Sequence, residues 1–232
     1  MKKITAIIAL GAVIASATAV QAADLKPYVS GKISYSNLSL KDTAIKYADG
    51  SIMNEGTDES KGVFGGKIAA GIAIPLISVR AELEVGYNSK AEVASKNTKD
   101  AEKHVDLSAQ TSTYMFNAYY DIDTGTAFKP YIGAGIGFAN INMKANSSEA
   151  GVYSIATDES INNFTYGFSV GVSYAVNDNL SLDLGYRYTN FGKVEDTVKY
   201  WDATMPVGRM VDLESETKLS SHEILLGTRY SF

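Results

Sequence analysis

Residues able to do chemistry are few in this chain of 232 amino acids. It has no cysteine, which excludes thiolate metal sites and a thiol nucleophile. Of its two histidines, His104 sits in the charged stretch KDAEKHVD and reads as a solvated side chain. His222 lies beside Ser220, Ser221 and Glu223, the residue types of a hydrolytic site. Neighbours in an extended strand point to opposite faces, so Glu223 cannot orient His222 there. The acidic pairs Asp58-Glu59, Asp158-Glu159 and Glu195-Asp196 read as solvated charge. No phosphate-loop, HExxH or calcium-loop spacing appears. The expectation is no enzyme, no metal and no cofactor, with an outer-leaflet lipid hydrolase at His222 as the distant alternative.

The first residues, MKKITAIIALGAVIASATAVQA, carry two lysines, an apolar run and small residues ahead of Ala22 and Ala23. This pattern predicts a cleaved signal peptide over 1–22, cut between Ala22 and Ala23, with one mature domain over 23–232. The chain's net charge is −5, or −7 once Lys2 and Lys3 leave. That acidity argues against a nucleic-acid partner. No later apolar run approaches the length of a membrane helix.

Periodicity carries more information than hydropathy. In FTYGFSVGVSYAV, residues 164 to 176, Phe164, Tyr166, Phe168, Val170, Val172, Tyr174 and Val176 share one face. Small and polar residues fill the other, which is a strand pattern. The same reading recurs near 27–37, 62–74, 78–87, 113–122, 129–138, 180–188 and in the closing EILLGTRYSF, giving eight segments. Connections alternate between short ones, near Leu76, Gly125 and Asp178, and long polar ones.

The polar faces hold Lys32, Lys67, Arg80, Arg187 and Arg229 against Glu82, Glu84, Asp121, Asp183 and Glu223. These charges cancel, as a closed interior requires. The opposite faces hold none, which suits lipid and not water. A spanning sheet must also close, since an open edge would leave backbone groups unpaired in hydrocarbon. Aromatics sort to two rims: Tyr28, Tyr120, Phe128, Tyr174, Tyr230 and Phe232 at one, Tyr35, Tyr87, Tyr114, Phe138, Tyr166 and Tyr188 at the other. The prediction is an all-β fold: an eight-stranded antiparallel up-and-down transmembrane β-barrel with four long extracellular loops and short periplasmic turns.

Eight strands enclose a lumen that side chains fill. The ten charged residues above should therefore form a lumenal ionic core, with Lys67–Glu84, Arg187–Glu223 and Asp183–Arg229 as ion pairs. Inward glycines, among them Gly133, Gly171 and Gly185, should make room for Arg187, Tyr131 and Tyr119. A narrow channel for ions or small solutes is the alternative. The fourth long connection holds the only tryptophan, Trp201, with Tyr200, Met205, Pro206, Val207 and Met210. These side chains suit either an interface or packing of the loop on itself.

KPYIGAGIGFA, LSLDLGYRY and LLGTRYSF resemble the small outer-membrane β-barrel family that includes opacity-type and OmpA-like surface proteins. The resemblance implies residence in the outer membrane of a Gram-negative bacterium, with outer-membrane lipid around a monomeric barrel. It implies that Tyr230 and Phe232 form an assembly signal read by the barrel-assembly machinery. In contrast to full OmpA-like proteins, no peptidoglycan-binding periplasmic domain is expected after the last strand. It also implies loops that meet a host or surface ligand in adhesion, host contact or immune exposure.

Overall fold

In a computed structural model, the backbone is described over residues 25–47, 52–55, 59–96, 103–149, 153–202 and 209–232, and side chains over 25–39, 60–90, 110–142, 160–193 and 218–232. The expected signal peptide and its cleavage residues Ala22 and Ala23 lie outside these residues, as does the side chain of His104. Eight long strands form the barrel: β1 (Lys26–Tyr47), β3 (Glu59–Ile74), β4 (Val79–Lys96), β5 (Lys103–Asp121), β6 (Phe128–Glu149), β7 (Tyr153–Ala175), β8 (Leu180–Asp202) and β9 (Arg209–Ser231). A short β2 (Ile52–Glu55) pairs onto the far end of β1. Each long strand pairs antiparallel with the next, and β9 returns to β1, so the sheet has no edge at the barrel wall.

At the short-turn end, strands begin and stop where the alternation predicts. The turns have local causes. Pro75–Ile77 forms one 3₁₀ turn ended by Ser78 in a left-handed conformation (φ 56°). Asp123 Oδ1 accepts the Gly125 backbone N–H at 3.1 Å. Asn177 Oδ1 accepts from Asn179 and Leu180 at 3.0 and 2.8 Å, side-chain mimicry of a backbone turn. The last strand is tied down to its final residue: Phe232 N–H donates to Pro27 O at 3.0 Å.

At the other end the strands outrun the sequence reading. The segment expected over 180–188 continues to Asp202, and that over 129–138 continues to Glu149. Most of what read as loop is paired hairpin. Hydrocarbon demands an apolar face, so alternation ends where lipid ends. Backbone pairing has no such limit and carries on into water.

Burial is inverted relative to a water-soluble domain. Glu82 and Glu84 are each 2% exposed, while Phe64 is 71% and Ile33 66% exposed. Eleven of the twelve expected rim aromatics face outward. Tyr28 does not: it shares its face with Ser30 and Lys32 and points into the lumen, 1% exposed. Ring pairs on the outer wall tie neighbouring strands, as in Phe128–Tyr174 at 4.8 Å and Tyr35–Phe64 at 5.2 Å.

Candidate functional site

The alternation that sends aromatics outward sends all ten predicted charges into the lumen. Their contacts run mostly between strands that are not neighbours. Lys32 Nζ donates to Glu82 Oε1 at 2.6 Å and Glu84 Oε2 at 2.8 Å. Arg187 reaches across the barrel from β8 to Glu84 on β4, with Nη1–Oε1 at 2.5 Å and Nη2–Oε2 at 3.3 Å. Arg80 holds Asp121 through two bonds of 2.7 and 2.8 Å. Lys67 Nζ donates to Glu223 Oε1 at 3.2 Å, an oxygen that also accepts from Ser36 at 2.8 Å. Arg229 donates to Asp183 at 3.4 Å and to Ser173 at 2.6 Å.

Of the three expected ion pairs, only Asp183–Arg229 is present. Arg187 and Glu223 are register partners across β8 and β9, yet each turns to another strand. Lys67 stands opposite Gly86, and Glu84 stands opposite Ala69. Pairing residues by their distance from a turn treats the sheet as flat. In a narrow closed barrel the opposite wall is within reach of an arginine, and the better geometry there wins.

Tyrosines complete the network. The Tyr28 hydroxyl donates to Glu82 Oε2 at 3.1 Å and the Tyr119 hydroxyl to Glu82 Oε1 at 2.8 Å. Arg187 Nη2 donates in turn to the Tyr119 oxygen at 3.0 Å. The Arg80 guanidinium lies 4.7 Å from the Tyr119 ring centroid and 5.2 Å from that of Tyr131, a cation over two π faces. Glycine makes room for these rings. A Cβ on Gly171 would meet the Leu184 carbonyl and Tyr131, each at 2.5 Å, one on Gly185 would strike the Tyr131 hydroxyl, and one on Gly133 would strike Tyr119. Arg187, expected beside the glycines, is not among their nearest neighbours. The void among Lys32, Arg80, Tyr119, Tyr131, Asp183 and Arg187 is about 10 Å³. That is at the lower limit for one water molecule and far from a passage.

Above this core sits a layer that the sequence reading missed. Leu38, Val63, Ala139, Ile141, Phe191 and Leu219 form one buried cluster, with Ile161 packed against it. All point inward at the long-hairpin end of the wall. Phe191 was read as loop, although it keeps the parity of Arg187 and Thr189. Gly192, with φ 79° and a bulge beside it, follows immediately and masks the pattern. Tyr28 was recoverable in the same way, by parity with Lys32.

His222 faces outward, the reverse of Glu223, and its Nδ1 is hydrogen-bonded to the Tyr186 hydroxyl at 2.6 Å. Among the described residues, no serine–histidine–acid arrangement forms there. Tyr230 and Phe232 stand at the short-turn rim with ring centroids 5.4 Å apart. In the fourth hairpin the backbone register sets Val198 opposite Leu213, Tyr200 opposite Val211 and Trp201 opposite Met210. Met205, Pro206 and Val207 lie outside the described residues.

Comparison with known proteins agrees with this architecture. Outer membrane protein PagN of Salmonella typhimurium is 32% identical over 219 residues, spanning 88% of this chain and 89% of that protein. Opacity protein opA50 of Neisseria gonorrhoeae is 26% identical over 158 residues, 59% of this chain and 58% of its own length. Among solved structures, outer membrane protein OprG of Pseudomonas aeruginosa superposes with a TM-score of 0.56 at 13% identity, over 89% of this chain and 95% of that one. The outer membrane protein beta-barrel domain matches residues 5–232. A closed barrel with charge inside and aromatics outside, matched along almost its whole length, belongs to the outer membrane protein beta-barrel domain family and resides in the outer membrane of a Gram-negative bacterium.

Proposed function

We propose that this chain is a non-enzymatic surface barrel that acts through its long hairpins, presented outside the cell, in contact with a host or neighbouring surface. The carrying observation is that the two ends of the molecule differ while its middle is filled. Within the ionic core the void is about 10 Å³, which favours a filled lumen over the channel reading. The outward His222 is engaged by the Tyr186 hydroxyl and faces away from Glu223, which speaks against lipid hydrolysis.

The fourth hairpin is the favoured contact element. Its register brings Tyr200, Trp201, Met210, Val211 and Leu213 into cross-strand apposition, and tyrosine, tryptophan and methionine are residue types that interfaces favour. Bacteria displaying the full barrel and a variant with residues 195–216 replaced by a tight turn would be compared for attachment to epithelial monolayers. Attachment should fall at least tenfold in the variant at equal folded-barrel levels. Equal attachment would remove the fourth hairpin from the proposal. The barrel works as a monomer, and Tyr230 and Phe232 serve the assembly machinery that inserts it.

A further inference from the structure

The wall is closed through the hydrocarbon band and opens at two places just above it. Between β7 and β8 the ladder runs from Ala175–Ser181 to Tyr166–Asn190 and stops there, at the aromatic rim. Side chains build the stop. Thr165 Oγ1 donates to Asn190 O at 2.6 Å and Asn163 Nδ2 to Lys193 O at 2.8 Å, in place of β7 backbone donors. Asn190 Oδ1 accepts the Gly192 N–H at 2.8 Å, and Gly192, with φ 79°, sits at the bulge in β8. Both strands nevertheless run on, β7 paired with β6 as far as Tyr153–Glu149 and β8 with β9 as far as Asp202–Arg209. Among the described residues, no backbone pairing joins residues 153–165 of β7 to 191–202 of β8. Each strand therefore presents an open edge to a gap.

The second gap lies between β3 and β4, beyond the Gly65–Asn88 pair. Charge separates the two. Residues 153–162 and 194–202, bordering the first gap, hold Asp158, Glu159, Glu195, Asp196 and Asp202 against Lys199, five acidic and one basic for a net of −4. Residues 59–64 and 89–96, bordering the second, hold Glu59 and Glu92 against Lys61, Lys90 and Lys96, a net of +1. The doublets Asp158-Glu159 and Glu195-Asp196 thus come from opposite sides of one gap, each within eight residues of the Tyr166–Asn190 pair.

We infer that the open β8 edge takes up an extended, lysine- or arginine-bearing segment of a host polypeptide as an added strand. An unpaired edge offers a row of backbone donors and acceptors that templates such pairing. Lys193 O points towards β7, and the β8–β9 register runs unbroken from Lys193 to Asp202. Backbone groups alternate sides along an antiparallel ladder, so those of Glu195, Thr197, Lys199 and Trp201 face the gap as well. Pairing with β9 holds the edge extended before a partner arrives, which spares the cost of ordering it. Hydrocarbon forbids an open edge, and this one starts where the hydrocarbon ends. The acidic border favours a basic partner over a second copy of this chain, whose own β8 edge carries the same sign. The inference rests on the surface-contact reading and names the partner's chemistry.

The full purified barrel in zwitterionic detergent micelles is titrated with a fluorescent peptide of alternating lysine and threonine, about as long as the free edge, and followed by anisotropy. A second peptide has alternate backbone nitrogens methylated, and a third has glutamate for lysine. The first should bind about tenfold more tightly than either. Thr197→Pro removes one gap-facing N–H while sparing the β8–β9 ladder and the charge, and should weaken binding by a similar factor. Heat-dependent gel mobility verifies that the variant is folded. Equal binding of the methylated or the glutamate peptide, or undiminished binding by T197P, overturns strand addition. So does a peptide-free dimer in native mass spectrometry that T197P dissolves, since the edge then belongs to a second copy. On whole cells, the hairpin replacement judges the contact reading by itself. If attachment falls in that variant but the peptide stays unbound, only strand addition fails. If the peptide binds but attachment is unchanged, only the contact reading fails.

Discussion

Lys67 and Glu223 meet at 3.2 Å over the inner face of β1, although their own strands, β3 and β9, lie on either side of it. With Ser36 of β1 bonded to the same carboxylate oxygen, three strands are clamped at one point. That point is beside the seam where the last strand closes on the first. Closure therefore has side-chain support as well as the β1–β9 ladder.

Glu84 is the most demanding position in the core, since it answers both Lys32 and Arg187. Glu84→Ala leaves two buried cations short of a partner and should cost about 3–5 kcal/mol. Denaturant unfolding in lipid vesicles measures the loss. Replacing Glu82, Glu84, Lys32 and Arg187 together by apolar residues of similar size, which removes two charges of each sign, should recover much of it. A loss below about 1 kcal/mol in the single variant would mean that the network relaxes freely.

Gly185 should tolerate no side chain while Tyr131 is present, because the Tyr131 hydroxyl is the one group a Cβ there would strike. Gly185→Ala is expected to destabilise the barrel by about 1–3 kcal/mol. Tyr131→Ala in the same molecule should give a combined cost well below the sum of the two, because the collision is shared. Additive costs would place the tyrosine ring elsewhere.

The purified barrel should show no steady unitary conductance in planar bilayers. Phe191→Ala should leave it silent, because the ionic core beneath still fills the bore, while lowering stability by about 3–5 kcal/mol through the cavity it opens. Conductance in the unaltered protein would contradict the filled lumen outright.

Deleting Phe232 separates folding from delivery. The residue contributes one backbone bond, to Pro27, and an exposed ring. Refolding into detergent should change by about 1 kcal/mol or less. Folded barrel recovered from outer membranes should fall several-fold, measured by heat-dependent gel mobility. Unchanged recovery would dissociate the terminal aromatic from assembly.

The wall of this protein was largely legible from residue order, and the traffic across its bore was not. Period-two alternation identifies which side chains face inward, because lipid punishes every exception within the hydrocarbon. It also identifies the short turns, where Asn177 and Gly125 act locally. Partner choice inside depends on distances across a curved wall, so Arg187 went to Glu84 and not to its register neighbour Glu223. Hairpin lengths escaped for a different reason: above the lipid, residues such as Asn142 and Ser160 pair through their backbones without any apolar signature. Phe191 fell in that unread zone, one residue before the Gly192 bulge.

Phe191 and its apolar neighbours also separate two kinds of inheritance. Below them, each charge is answered by another, and altering one unsettles several. Above them, among the described residues, no side chain bonds to a member of that network. The hydrocarbon layer between is an insulating gasket, so new hairpin tips can be fitted to an unchanged barrel without disturbing its balance. Such a molecule can diversify what it displays while conserving the means by which it stands in the membrane.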